Sequence, residues 1–165
     1  MNDSTNFNDA VVIERIFDAP QELIWQLWTK AEDFAKWYGP TGFTVPVADM
    51  DMRVGGKRLI CMASPDGSMK MWTTGEYTEI VPNERLVYTE SMSDEDGNIM
   101  SPSAMGMPEG YPEVTQVTVQ LEELGGRTKM VMIHAGVPAE SGAAGGWGQA
   151  FDKLEAHIEL VRDDS

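Results

Sequence analysis

Arg58, Glu90 and His134 are the side chains best placed for chemistry, because strand alternation sets each of them beside large apolar neighbours. In 57–64, Arg58, Ile60 and Met62 share one face, with Leu59 and Cys61 on the other. In 69–80 the shared set is Met71, Thr73, Gly75 and Tyr77. In 84–93 it is Leu86, Tyr88, Glu90 and Met92, opposed by Val87, Thr89 and Ser91. In 127–135, Thr128, Met130, Met132 and His134 oppose Lys129, Val131 and Ile133, although both faces there are apolar. The first-named sets are assigned to a concave side. Charged groups on such a face are costly unless paired or hydrated. One arrangement joins Arg58 to Glu90 across the intervening strand and leaves His134 to contact a ligand. The other puts Arg58 at an open rim and gives His134 a backbone carbonyl. An enzyme of the cyclase or dehydratase kind would use His134 or Glu90 to move a proton on a bound carbonyl substrate.

Around these groups the concave side carries Met62, Met71, Met92, Met130 and Met132. Methionine is flexible and polarizable, which suits a surface that accepts varied ligands and equally suits an irregular core. The chain has 12 methionines, enough to keep the ligand reading beside the core reading. Trp28 and Trp37 offer rings for a planar ligand or for the core, and Trp147 stands near a cavity mouth. The candidate ligand-binding set is completed by Ile60, Tyr77, Tyr88 and Phe151.

Other chemistries find no support. His134 and His157 have no carboxylate at ligand spacing, so no metal site is expected. Cys61 and His134 fall on opposite sides of the sheet, which disfavours a thiol nucleophile. Gly55-Gly56 lacks the Lys-Ser/Thr of a phosphate loop, and Gly142 to Gly146 open the last helix without the strand a dinucleotide site requires. No cofactor is expected.

The elements that must hold these residues follow from periodicity. Val11 to Phe17 is β-branched and stops at Asp18-Ala19-Pro20. Ile24, Leu27, Trp28, Ala31, Phe34, Ala35 and Tyr38 then recur at helical spacing, with a bend expected at 29–32 that makes two short helices. Strands follow at 43–52, 57–64, 69–80, 84–93, 113–123 and 127–135. Pro65-Asp66-Gly67, Pro82-Asn83 and Gly125-Gly126 turn antiparallel hairpins between them. The stretch 94–112 is too long for a hairpin turn and reads as a mobile loop or lid. Trp147, Ala150, Phe151, Leu154, Ile158 and Val161 form the stripe of a last helix, for which Ser141 is an N-cap. Its glycines at 142, 145, 146 and 148 weaken the first turns, and close approach of something large would account for them.

A chain of 165 residues is expected to form one domain, 10–163, behind a disordered tail, 1–9. The net charge is −15, and no Lys or Arg lies between Arg85 and Arg127. Phosphate backbones and anionic lipid would be repelled, so neither nucleic acid nor membrane is an expected partner. No segment has the basic start and apolar run of a signal peptide, and the lone Cys61 suits a cytoplasmic setting. The oligomeric state is left open, a homodimer included.

Four stretches carry a family resemblance. They are Phe17-Asp18-Ala19-Pro20 leading to Trp25 and Trp37-Tyr38-Gly39-Pro40; Arg53-Val54-Gly55-Gly56 with Ser64-Pro65-Asp66-Gly67; Gly75 to Pro82 followed by Glu84-Arg85-Leu86-Val87; and Gly146-Trp147 leading into Phe151-Asp152-Lys153-Leu154. In this order they resemble the START-like helix-grip (SRPBCC) superfamily, in its AHSA-like branch, named for an activator of heat-shock ATPase. The resemblance implies an α+β helix-grip fold: a curved antiparallel sheet of about seven strands around a long C-terminal helix, with two short helices after the first strand. It implies a cavity between them and, by default, binding of a small hydrophobic or aromatic molecule for carriage, sequestration or sensing. A protein-interaction module is the third reading. In the co-chaperone, however, this domain follows a separate N-terminal domain that the present length does not accommodate, so a chaperone partner is not expected.

Overall fold

The computed structural model describes residues 10–100, 114–136 and 142–163. The tail 1–9, the Ser141 cap and residues 101–112 of the expected lid lie outside the described residues. Strand β1 (Ala10–Phe17) is followed by Pro20, whose carbonyl accepts the first helical amides, from Leu23 and Ile24. Helix α1 (Gln21–Thr29) buries Ile24, Leu27 and Trp28. Lys30 is extended, at φ −96° and ψ 124°, and separates α1 from α2 (Ala31–Phe34). The expected bend is therefore a one-residue break.

Six strands follow: β2 (Thr44–Met50), β3 (Lys57–Ala63), β4 (Lys70–Val81), β5 (Arg85–Ser93), β6 (Thr115–Leu124) and β7 (Arg127–Ala135). Their ends differ from the periodicity reading by at most two residues, and β7 matches it at both ends. All seven strands form one antiparallel sheet in the order β1-β7-β6-β5-β4-β3-β2. The turn between β4 and β5 needs a left-handed residue, and Asn83 takes it at φ 67°. Its carbonyl is fixed by the Gln21 amide at 2.9 Å, which ties this turn to α1.

Helix α3 (Gly142–Asp163) lays Trp147, Ala150, Phe151, Leu154 and Ile158 against the concave face, where they meet Val11, Phe17, Val117, Val119, Met130 and Met132 in one core. Burial on β7 alternates, with Thr128, Met130, Met132 and His134 inside, which settles the face that sequence left ambiguous. Two polar clamps fix the helix. Arg15 reaches Asp152 at 2.8 Å and the Gly148 carbonyl at 3.2 Å. Lys153 Nζ donates to the carbonyls of Tyr38, Pro40 and Phe43, each at 3.2 Å. Lys153→Met strands three part-buried acceptors, so a loss of roughly 2–3 kcal/mol in urea unfolding is expected. The close approach expected at the helix glycines is absent at two of them. A Cβ at Gly145 or Gly148 would meet nothing, and at Gly146 only Pro40. Nothing in the structure explains the glycines at 145 and 148.

Candidate functional site

Strand register brings the polar residues together. Arg58 pairs with Gly75 on β4, and β4 pairs with β5 through Thr74↔Ser91 and Tyr77↔Tyr88, which sets Gly75 between Arg58 and Glu90. Glu90 faces Thr115 on β6, and His134 faces Val117, one step along. Gly75 offers no side chain, so the Arg58 stem lies across it, 3.5 Å from where a Cβ would stand. Arg58 Nη1 comes within 3.9 Å of Glu90 Oε2. The pairing across the intervening strand therefore forms. The alternative at the rim is corrected: Arg58 is only 2% exposed, because Phe34 and Tyr38 from α2 and its end close over it.

The guanidinium sits in an aromatic surround. Its carbon lies 3.8 Å from the Tyr88 ring centroid, 5.5 Å from Phe34 and 5.8 Å from Tyr77, distances at which a cation is attracted to ring faces. Nε–H donates to the Tyr77 hydroxyl at 3.2 Å. The Tyr38 hydroxyl donates to Glu90 Oε2 at 3.4 Å. Burial, reinforced by the Glu90 carboxylate, holds the Tyr38 phenol well above its ordinary pKa, so it stays a neutral donor. The Tyr88 hydroxyl and the Trp28 indole N–H have no hydrogen-bond partner among the described residues.

His134 is held at both nitrogens. The Trp147 indole N–H donates to Nδ1 at 3.1 Å. Nε2 lies 2.8 Å from Thr115 Oγ1 and 3.5 Å from Glu90 Oε1. Because the Thr115 hydroxyl donates to the Glu90 carbonyl at 3.1 Å, its oxygen must accept from His134. The network thus assigns the Nε2–H tautomer. The backbone carbonyl expected for His134 is replaced by a side-chain hydroxyl, since β6 presents Thr115 toward it. Burial pushes the His134 pKa down, against a smaller upward pull from Glu90. A protonated ring would also face the indole N–H with a second donor. Unfolded histidine titrates near 6.5, so the unfolded chain takes up the proton first on acidification. Stability contributed by neutral His134 is complete above that pH and falls as pH drops through it. In a ring-carbon NMR titration the His134 midpoint should lie below 6.5, and Trp147→Phe should raise it; a wild-type midpoint at or above 6.5 would contradict a buried neutral ring that accepts from Trp147.

The remaining candidates divide. Trp28 and Trp37 are fully buried against each other, with centroids 4.9 Å apart, and the Trp37 N–H is taken by the Leu27 carbonyl. With Phe151 and Trp147 they form core. Ile60, Met130 and Met132 are also buried there. Met62, Met71 and Met92 are half-buried at the other end of the concave face, near Glu90. Trp147 is 6% exposed and serves His134. Tyr38, Phe34 and Thr115 belong to the site but were not among the sequence candidates. Only strand alternation through 115, 117 and 119 could have pointed to Thr115.

A separate groove of about 620 Å³ lies on the outer face, lined by Asp49, Leu59, Thr74, Ser91, Gly97 and Ile99 among others. The turn at 94–99, organised by Asp94 accepting from the Asp96 and Asn98 amides, folds over it. Glu90, His134, Met62, Met71 and Met92 are not part of this groove, although Arg58 and the half-buried Met50 line it. Among the described residues no cluster of three or more His, Cys, Asp or Glu could hold a metal, and no helix is long and apolar enough to cross a membrane.

The sequence profile described as Activator of Hsp90 ATPase homolog 1-like protein matches residues 18–159. A crystal structure of a Chromobacterium violaceum protein is 26% identical, covers 92% of this chain and 98% of its own, and superposes with a TM-score of 0.76. A solution structure of an Arthrobacter aurescens protein is also 26% identical, over 92% and 86% of the two chains, with a TM-score of 0.73. The crystal structure of the AHSA1 protein from Silicibacter pomeroyi, 20% identical over 92% and 98%, has a TM-score of 0.71 and shares the fold. No curated protein matches the chain.

Proposed function

The chain belongs to the Activator of Hsp90 ATPase homolog 1-like family, and on that premise we propose that it binds a small hydrophobic or aromatic molecule on the concave side of its sheet. One observation carries the reading. Arg58 and Glu90 form a buried polar centre on the face that also carries the half-buried Met62, Met71 and Met92, and a fully apolar core would be the cheaper solution were stability its only purpose. Pockets for small molecules combine an apolar lining with a few fixed polar groups. The polar handles are Arg58, Glu90 and Tyr38, with His134 Nε2 3.5 Å from Glu90 Oε1. A cytoplasmic carrier, sequestering or sensing role follows from this reading.

Thermal-shift screening of an aromatic metabolite library tests it. A ligand at about 100 times its Kd adds roughly 2.7 kcal/mol to the native state, a clear rise in Tm. A library with no stabilising compound would sink the proposal.

The catalytic alternative rests on Glu90. His134 is poorly placed as a general base, because its Nδ1 lone pair already accepts the Trp147 N–H. Turnover of a carbonyl substrate that survives His134→Gln but not Glu90→Gln would favour that alternative. An interaction role is suggested by the family description and by the carboxylates of Asp49, Asp51 and Asp96 on the outer groove. An ATPase assay of purified Hsp90 with and without this protein tests it, an unchanged rate counting against it.

A further inference from the structure

Arg58 has five N–H donors and cannot lose its charge in a protein. Its Nε–H is taken by Tyr77, while Nη1 stands 3.9 Å from Glu90, too long for a hydrogen bond. Among the described residues no acceptor satisfies the Nη hydrogens. The Tyr88 hydroxyl, beside the same guanidinium and 0% exposed, is also without a partner. A hydroxyl this deeply buried and left unmatched carries a desolvation penalty that an incoming acceptor, shared with the free Nη hydrogens of Arg58, would remove.

The charge balance narrows the acceptor. Glu90 already offsets Arg58, so a carboxylate would leave the centre with a net buried negative charge, and an ammonium group would add a second cation beside Arg58. A neutral oxygen fills the unmet donors without adding charge. The walls around it, Phe34, Tyr38 and Tyr88, are rings. Taking the concave side as a ligand site, as proposed above, we infer that the ligand is an uncharged aromatic carbonyl compound whose oxygen accepts from Arg58 Nη and the Tyr88 hydroxyl.

Four isosteric probes test this by calorimetry on the intact chain: 2-acetylnaphthalene, 2-ethylnaphthalene, 2-naphthoate and 1-(2-naphthyl)ethylamine. The ketone should bind at least tenfold tighter than the ethyl compound, although it is the less hydrophobic, and tighter than both charged probes. Tyr88→Phe removes a hydroxyl that the free protein leaves unpaired, so it should fold normally. It should reduce ketone affinity by about three- to tenfold and leave ethylnaphthalene unaffected. Equal binding of ketone and ethyl compound, tighter binding of naphthoate, or an equal loss for both neutral probes in Tyr88→Phe would overturn the inference while leaving a ligand cavity in place. Failure of all four to bind would overturn the inference together with the reading it rests on.

Discussion

Replacing Arg58 by Met is expected to lower unfolding stability by about 3–5 kcal/mol, the range for breaking a buried ion pair from one side. The side chain is 2% exposed, and its removal leaves Glu90, whose side chain is 12% exposed, with no cation in reach among the described residues. The contacts with three rings are lost as well. A loss of this size is a large fraction of the stability of an ordinary domain, roughly 5–15 kcal/mol. Urea unfolding of Arg58→Met and of Arg58→Met/Glu90→Gln separates the contributions. The double variant should recover a good part of the loss, because it no longer buries an uncompensated carboxylate. A single-variant loss below about 1 kcal/mol would mean that Glu90 is hydrated and that the pair is no centre at all.

Gly75→Ala should be nearly as damaging, for a different reason. The β4–β5 register shifts a little further on, between Tyr77 and Glu79, and the Glu76 amide bonds the Thr89 hydroxyl. A Cβ on Gly75 would run into the Thr89 carbonyl oxygen, with the Arg58 stem close by. Relief requires β4 and β5 to part at the row that carries Arg58 and Glu90. Overpacking of this kind costs about 3 kcal/mol, which for a domain of this size is a fall in Tm of roughly 6–12 °C. Ligand affinity should fall with it. An unchanged Tm would show that the backbone can yield there.

The fold was largely legible because its signals are local: β-branched runs, hairpin turns and the stripe from Trp147 to Ile158. Alternation also put Arg58, Glu90 and His134 on one side correctly, since a period of two leaves only two choices. What alternation cannot supply is the lateral partner. That Gly75 lies between Arg58 and Glu90 depends on register across three strands. That Tyr38 meets Glu90, and Trp147 meets His134, depends on how helices dock. The methionines illustrate the same limit. Met130 and Met132 read like Met62 and Met71, yet α3 covers the first pair and leaves the second half-buried. No sequence signal announced three carbonyls converging on Lys153.

We propose that the half-buried methionine end of the concave face receives the ligand, and methyl-labelled NMR of Met, Ile and Leu residues during titration with 2-acetylnaphthalene reports on it residue by residue. Shifts are expected at Met62, Met71 and Met92, with Met130 and Met132 nearly unmoved beneath α3. Shifts confined to Leu59 and Ile99 on the outer groove, with those three methionines unmoved, would contradict it.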